Sequence, residues 1–146
     1  MLSLLKNERK EFQKKLLEAI KEYEYHFERY DVSYSVSIAY LPESIDAVSI
    51  SARIRKSDRY IRLHDNLHAV VFDYTDDVDG LKAANKLLTY FQVEHFGKSL
   101  YAAIVTASHE KTPAEIITEL FDLLAYSIEH NMDNHVMDAS QVMRGM

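Results

Sequence analysis

Two groups of polar side chains near the middle of the chain could do chemistry. Arg55 and Asp58 lie three residues apart, close enough for a guanidinium to sit beside a carboxylate. Such a pair can bind an anionic ligand, although an ion pair that only secures a helix end has the same spacing. Further on, His64, Asp65 and His68 could hold a metal ion across a turn, but exposed turn residues share this pattern. We favour the latter interpretation and expect no metal ion there.

The residues after Asp58 indicate a β-hairpin. Ile61 and Leu63 alternate with polar neighbours in a first strand at about 59–64. The uninterrupted apolar stretch 69–72 predicts a second strand, at about 67–74, that is buried on both faces. The turn between them is His64-Asp65-Asn66-Leu67, in which Asp and Asn tolerate left-handed backbone.

The first half of the chain supplies elements that would position this hairpin. A long helix is predicted at 4–30, with an apolar stripe at spacings of three and four residues. The stripe consists of Phe12, Leu16, Ile20, Tyr23, Phe27 and Tyr30. We interpret it as packing on its own domain, with pairing to a second helix as the alternative. A strand is predicted at 32–40, and a helix from Ser44, the expected N-cap, to Arg55, where β-branched residues leave a strand as the alternative.

The second half continues as helix, strand and helix. Asp76 is predicted to cap a helix at 77–95, and an apolar strand follows at 100–107. Thr112-Pro113-Ala114-Glu115 predicts a capping box that opens a helix to about 131. The expected buried positions of the two helices are Val78, Leu81, Ala84, Leu87, Leu88 and Phe91, then Ile116, Ile117, Leu120, Leu124 and Ile128. A short edge strand is expected at 135–138, and the strand-helix-strand-strand-helix-strand order is that of a ferredoxin-like fold.

The hairpin region resembles the signature of the GGDEF family, the diguanylate cyclases. That family has R-x-x-D, a five-residue spacer, then G-G-D/E-E-F on a hairpin turn, followed by Ala-Val and an apolar strand. Arg55, Asp58, the spacer 59–63 and Ala69-Val70 keep this register. The five signature positions have changed to His64, Asp65, Asn66, Leu67 and His68.

The resemblance covers about residues 33–138 and implies a fold. It implies an α+β, ferredoxin-like βαββαβ core with a central, mostly antiparallel sheet, an extra C-terminal helix and a long N-terminal helix. We therefore expect an N-terminal helix at 1–31, a degenerate GGDEF-like domain at 32–140 and a loose tail at 141–146.

The resemblance also implies what the altered turn has lost. The family's two glycines let backbone approach the nucleotide, and carboxylates at the third signature position and the end of the first strand hold magnesium. His64 and Asp65 would crowd the phosphates, and Asn66 replaces the acidic ligand. Residues 38–40, at the end of the first strand, contain no carboxylate, and only 41–44 remain where the guanine-reading helix should be. We predict a degenerate cyclase without catalytic residues or cofactor.

Arg55 and Asp58 are different because they survive in register. In the family, R-x-x-D is an inhibitory site for cyclic di-GMP, and the nearby Arg53, Lys56 and Arg59 would make the surface locally basic. The first hypothesis is a catalytically inactive signalling or regulatory domain that contacts itself, as a homodimer, or a partner signalling protein. The alternative is a cyclic di-GMP sensor that binds through Arg55 and Asp58, and an active cyclase ranks below both.

Composition narrows the class of protein. A chain of 146 residues fits one domain, and the absence of cysteine excludes disulfides and thiolate metal sites. A net charge of −6 argues against a nucleic-acid surface. No apolar run approaches the ~18 residues needed to span a membrane, and the early charges rule out a signal-peptide core. We therefore expect a cytoplasmic domain, in a bacterial signalling setting as the family implies, that binds neither membrane nor nucleic acid.

Overall fold

A computed structural model describes residues 2–41 and 47–140. In chain order the elements are α1 (Leu2–Tyr30), β1 (Tyr34–Tyr40), α2 (Ala47–Ser51), β2 (Arg59–Arg62), β3 (Leu67–Asp73), α3 (Asp77–Glu94), β4 (Tyr101–Thr106), α4 (Pro113–Glu129) and β5 (His135–Met137). The predicted N-cap Ser44 and the predicted loose tail at 141–146 lie outside the described residues.

The strands form one five-stranded sheet in the order β2-β3-β1-β4-β5. β1 lies at its centre, with Val36 opposite Val71 of β3 and Val105 of β4. All neighbouring pairs are antiparallel except β4 and β5, which run parallel. The structure therefore confirms the predicted α+β architecture and the short edge strand β5.

The sheet is covered on both faces, because alternate residues of the inner strands point to two separate cores. The core under α1 and α4 includes Val36, Ile38, Ala69, Val71, Ala103 and Val105. The core under α2 and α3 includes Val70, Phe72, Ala102 and Ile104. The prediction that residues 69–72 are buried on both faces is thus confirmed.

Helix α1 is part of the domain. Phe12, Leu16, Ile20 and Phe27 of its stripe are at most 5% exposed, whereas Tyr30 is 62% exposed. The Nη2 group of Arg9 also donates to the Asp122 carboxylate (2.6 Å) and to a backbone carbonyl of α4 (3.0 Å). The stripe packs on its own domain, so it does not offer a free seam for a second helix.

Helix α2 ends earlier than predicted. It stops at Ser51, after which the Arg53 N–H bonds the Ile50 carbonyl and the chain turns towards β2. Serines and β-branched residues hold a helix weakly, and Arg55 is committed to contacts outside it. The prediction of a helix reaching Arg55 was wrong, but the strand alternative is also excluded for 47–51.

The N-caps predicted for α3 and α4 are confirmed. Asp76 accepts from the Asp79 N–H (2.8 Å) at the start of α3, and the Thr112–Glu115 capping box opens α4. The predicted buried side of α3 needs one correction, because Val78 is 55% exposed and Gly80 is buried instead. Gly80 lies so close to β1 that a Cβ there would be 2.5 Å from Ser35 Oγ. No α-helix within the described ranges is both long and apolar enough to cross a bilayer.

Candidate functional site

Arg55 and Asp58 form a closed clamp in the connection between α2 and β2. Asp58 Oδ2 accepts from the Arg55 backbone N–H (2.8 Å) and from Arg55 Nε (3.2 Å). Asp58 Oδ1 accepts from Arg55 Nη2 (3.0 Å) and from the Asp73 backbone N–H (2.9 Å). Arg55 Nη2 also donates to the Asp73 carbonyl. The pair therefore ties this connection to the end of β3.

The two side chains of the clamp differ in exposure. The Asp58 side chain is 2% exposed, and that of Arg55 is 54% exposed. A carboxylate enclosed by four donors has its charge compensated, while the guanidinium still presents one side to solvent. The geometry therefore combines a structural ion pair with an accessible cation.

A groove of about 640 Å³ opens beside the clamp, between the segment after α2 and helix α3. Its apolar lining comes from Ala52, Ile54, Phe72, Ala83 and Leu87. Its polar lining comes from Arg53, Arg55, Asp58, Tyr74, Thr75, Asp79, Lys82, Lys86 and Tyr90. A volume of this order is within the range of sites that bind small molecules.

Cations outnumber carboxylates in this groove. Arg53 lies over the Tyr90 ring, with its guanidinium carbon 3.9 Å from the ring centroid. Hydrogen bonds from Ser49 and Arg53 lower the pKa of the Tyr90 hydroxyl. Lys82 and Lys86 line the groove from α3. The wall is therefore basic in a protein whose net charge is −6.

The predicted basic surface is only partly where the sequence suggested. Arg53 lines the groove, but Lys56 does not, and Arg59 turns towards α1, where its Nη1 donates to the Ala19 carbonyl (3.5 Å). Sequence reasoning missed Lys82 and Lys86. Their four-residue spacing puts them on one side of α3, but only the packing of α3 shows which side faces the groove.

The turn at 64–67, where the resemblance implies a changed signature, is closed by bonds within itself and to the residue after β1. The backbone N–H groups of Leu63 (3.0 Å) and His64 (3.1 Å) donate to the Leu67 carbonyl, and the Leu67 N–H returns a bond to the His64 carbonyl (3.2 Å). Asp65 forms an ion pair with Arg62. The predicted hairpin is therefore confirmed, with its tight turn at 64–67.

Asn66 fixes the turn to the end of β1. Its side-chain Nδ2 donates to the Leu41 carbonyl (2.8 Å), and its own carbonyl accepts from the Leu41 N–H (2.8 Å). Leu41 is fully buried, and so is Leu67, the residue that follows Asn66 in the turn. The junction between the first strand and the turn is thus filled by a neutral amide and apolar side chains.

His68 is buried and neutral. Its Nε2 donates to the Asp65 carbonyl (3.0 Å), so Nδ1 is the acceptor for the Tyr60 hydroxyl (2.7 Å). Burial, with added repulsion from Arg62 and His64, lowers the pKa of His68 to about 4. Both ring nitrogens are occupied within the hairpin.

His64 does not join His68 in a metal site. Its Nδ1 accepts from the Asn66 N–H (3.3 Å), and its ring packs edge-on against Phe12 of α1, with centroids 6.4 Å apart. Among the residues that the structure describes, no three His, Asp or Glu side chains are arranged to hold a metal ion. These histidines act as structural parts of the turn.

The fold and the hairpin together define a class of protein: the chain has the fold of GGDEF domains. The GGDEF domain of DgcB from Caulobacter crescentus, solved in complex with c-di-GMP, superposes with a TM-score of 0.68 at 8% identity, over 86% of this chain and 88% of that one. The active GGEEF domain of a diguanylate cyclase from Vibrio cholerae gives 0.64 at 14% identity, over 84% and 93%.

A third similar structure is the Pseudomonas aeruginosa diguanylate cyclase SiaD in complex with its activator SiaC. It gives a TM-score of 0.63 at 11% identity, over 86% of this chain and 57% of that one. The sequence matches no protein-family model and no curated protein. The GGDEF-like resemblance seen in the sequence is confirmed at the level of the fold.

Proposed function

We propose that this chain is a catalytically inactive GGDEF-like domain that acts in cytoplasmic signalling through contacts with other proteins. The observation that carries the proposal is the bond from Asn66 to Leu41. The family resemblance implies a magnesium carboxylate at the Asn66 position. Here an amide nitrogen points at the end of β1, and an N–H donor repels a cation rather than binding it.

The rest of the turn supports the same proposal. His68 is buried with both nitrogens bonded, Leu67 is buried, and Asp65 is paired with Arg62. Diguanylate cyclase chemistry needs backbone that closely approaches phosphate, and side chains at positions 64 and 65 stand where the family has glycines. The turn has the contacts of a structural hairpin.

A direct assay tests the loss of catalysis. Purified protein is incubated with GTP and Mg²⁺, and products are separated by chromatography, with the active Vibrio cholerae GGEEF domain as the positive control. We expect no cyclic di-GMP from this chain under conditions in which the control converts its substrate. Synthesis of cyclic di-GMP would disprove the proposal.

Contact with proteins is supported by the similar structure of SiaD bound to its activator SiaC. It shows that a chain containing this fold can be controlled through a bound protein. In the present chain we propose either a homodimer or a partner signalling protein. Sedimentation of the purified chain over a range of concentrations separates them, because a concentration-dependent dimer supports self-contact and a persistent monomer supports a different partner.

The groove supports a second candidate, a cyclic di-GMP sensor. It lies at the retained Arg55, it is basic, and its volume of about 640 Å³ suits a nucleotide ligand. The similar DgcB domain was solved in complex with c-di-GMP. Calorimetric titration with cyclic di-GMP tests this candidate, with binding expected to weaken in Arg55→Ala. The absence of heat from the native chain would remove the sensor.

A further inference from the structure

We propose that the groove beside Arg55 recognises its ligand by phosphate charge and ring stacking, without selecting guanine through Asp58. The proposal rests on the second candidate function, because it concerns which nucleotides that groove accepts. It commits to a phosphate-bearing nucleotide and predicts little discrimination between guanine and adenine bases.

The Asp58 carboxylate has no acceptor position left for a base. Two carboxylate oxygens offer about four lone-pair positions, and all four are taken by bonds of 2.8–3.2 Å from Arg55 and from the Asp73 N–H. The side chain is 2% exposed. A guanine donor could reach it only by opening the clamp, which would leave the Asp73 N–H unpaired.

Arg55 can still donate a hydrogen bond, although Asp58 compensates its charge. Its Nε–H and both protons of Nη2 are committed to Asp58 and Asp73. The edge of the guanidinium formed by Nε and Nη2 is therefore occupied, whereas Nη1 has no hydrogen-bond partner among the described residues and the side chain is 54% exposed. This arrangement suits a phosphate oxygen better than a bidentate contact with one particular base.

Lys82 and Lys86 supply the rest of the positive charge. Neither forms an ion pair with any residue in the described part of the chain. After Arg55 and Asp58 cancel each other, the groove retains Arg53, Lys82 and Lys86 against Asp79. A concave wall with this excess attracts an anion, and the attraction is weakened by salt.

The aromatic side chains offer stacking surfaces that do not depend on base identity. The Arg53 guanidinium carbon lies over the Tyr90 ring, 3.9 Å from its centroid, and both residues line the groove. Tyr74 is 69% exposed and has a φ of 53°, a left-handed conformation that is unusual for a bulky aromatic residue. Stacking of bases on such rings tolerates every base because each has a π-face.

The test compares two cyclic dinucleotides on the full chain. Cyclic di-GMP and cyclic di-AMP are titrated calorimetrically at two salt concentrations. We expect dissociation constants within about threefold of each other, both rising with salt. Binding of cyclic di-GMP without measurable binding of cyclic di-AMP would overturn the inference but keep the sensor. Binding of neither would overturn both.

Variants identify the groove as the site. Lys82→Ala/Lys86→Ala is expected to weaken both ligands by roughly tenfold, since the two exposed cations proposed to attract the phosphates are lost. Arg53→Lys keeps the charge but removes the flat guanidinium, and should also weaken both. Lys10→Ala/Lys14→Ala is the matched control, because these exposed lysines have the same spacing on α1, across the sheet. Equal losses in the control would mean non-specific attraction and would overturn the inference.

Discussion

Arg55 and Asp58 stabilise the fold through contacts within the protein. The Asp58 carboxylate joins two segments of the chain through four hydrogen bonds while it is almost fully enclosed. A ligand-binding pair inherited from a site would be expected to keep an open acceptor. At this position the acceptor is used within the protein.

Asp58→Ala should destabilise the fold. The change leaves the Asp73 N–H without its acceptor and removes the partner of Arg55, so we expect a loss of about 2 kcal/mol in the free energy of unfolding. Urea unfolding followed by circular dichroism measures the loss. Asp65→Ala is the control, because its ion pair with Arg62 is more than half exposed and should change stability by under about 1 kcal/mol. Equal effects would contradict a structural role for Asp58.

His68 should make stability depend on pH. Its pKa is lowered from 6.5 to about 4 by burial, so between these values the unfolded chain binds a proton that the folded chain does not. The stability it contributes is present above pH 6.5 and is lost as the pH falls towards 4, by at most about 1.4 kcal/mol per pH unit.

His68→Gln isolates this dependence. Glutamine can donate to the Asp65 carbonyl and accept from Tyr60 without titrating. Unfolding measured from pH 7 to 4.5 should show the native chain losing stability relative to the variant as the pH falls. Parallel curves for the two proteins would show that His68 titrates normally and would contradict a buried neutral ring.

At the scale of elements, the helix starts are set by short local signals. The capping box at the start of α4 is one of them, with Thr112 Oγ1 accepting from the Glu115 N–H (3.1 Å) and Glu115 accepting from the Thr112 N–H (3.0 Å). Thr112→Ala should cost about 1 kcal/mol of unfolding free energy, measured in urea. Thr89→Ala, at an exposed position inside α3, is the control and should cost no stability, because alanine is the better helix former. No loss in Thr112→Ala would contradict the importance of the cap.

Features set by neighbouring residues could be predicted from the sequence, whereas features set by contacts between distant residues could not. The caps at Asp76 and Thr112 and the uninterrupted apolar stretch 69–72 are local, and the predictions made from them are confirmed. The prediction of a helix reaching Arg55 missed that Arg55 bonds Asp58 and the carbonyl of Asp73, eighteen residues further along the chain. Lys82 and Lys86 could not be assigned to the groove, since their role depends on how α3 packs.

At the scale of the whole molecule, α1 supplies part of the core. Four residues of its apolar stripe are at most 5% exposed and pack in the core under α1 and α4. They are Phe12, Leu16, Ile20 and Phe27. Each large buried side chain contributes about 2 kcal/mol. Their sum is comparable with the total stability of a domain, about 5–15 kcal/mol.

Removal of residues 1–30 should therefore prevent cooperative folding. A graded test is Leu16→Ala, which should cost about 3 kcal/mol because the side chain is fully buried. Val93→Ala is the control at 72% exposure and should have little effect. A truncated chain that still unfolded in a sharp urea transition would show that α1 is an accessory helix.

The two cores on opposite faces of the sheet affect which side chains can change in evolution or design without loss of the fold. The groove belongs to the α2/α3 side and the anchored α1 to the other, with β1 shared between them. Side chains facing the groove can thus be exchanged for a new ligand preference while the α1 anchorage is left intact. Conversely, α1 touches the connection that carries Arg55 and Asp58, because the Tyr23 hydroxyl donates to the Ser57 carbonyl (3.0 Å), so a response of α1 to an occupied groove has a direct path through this connection.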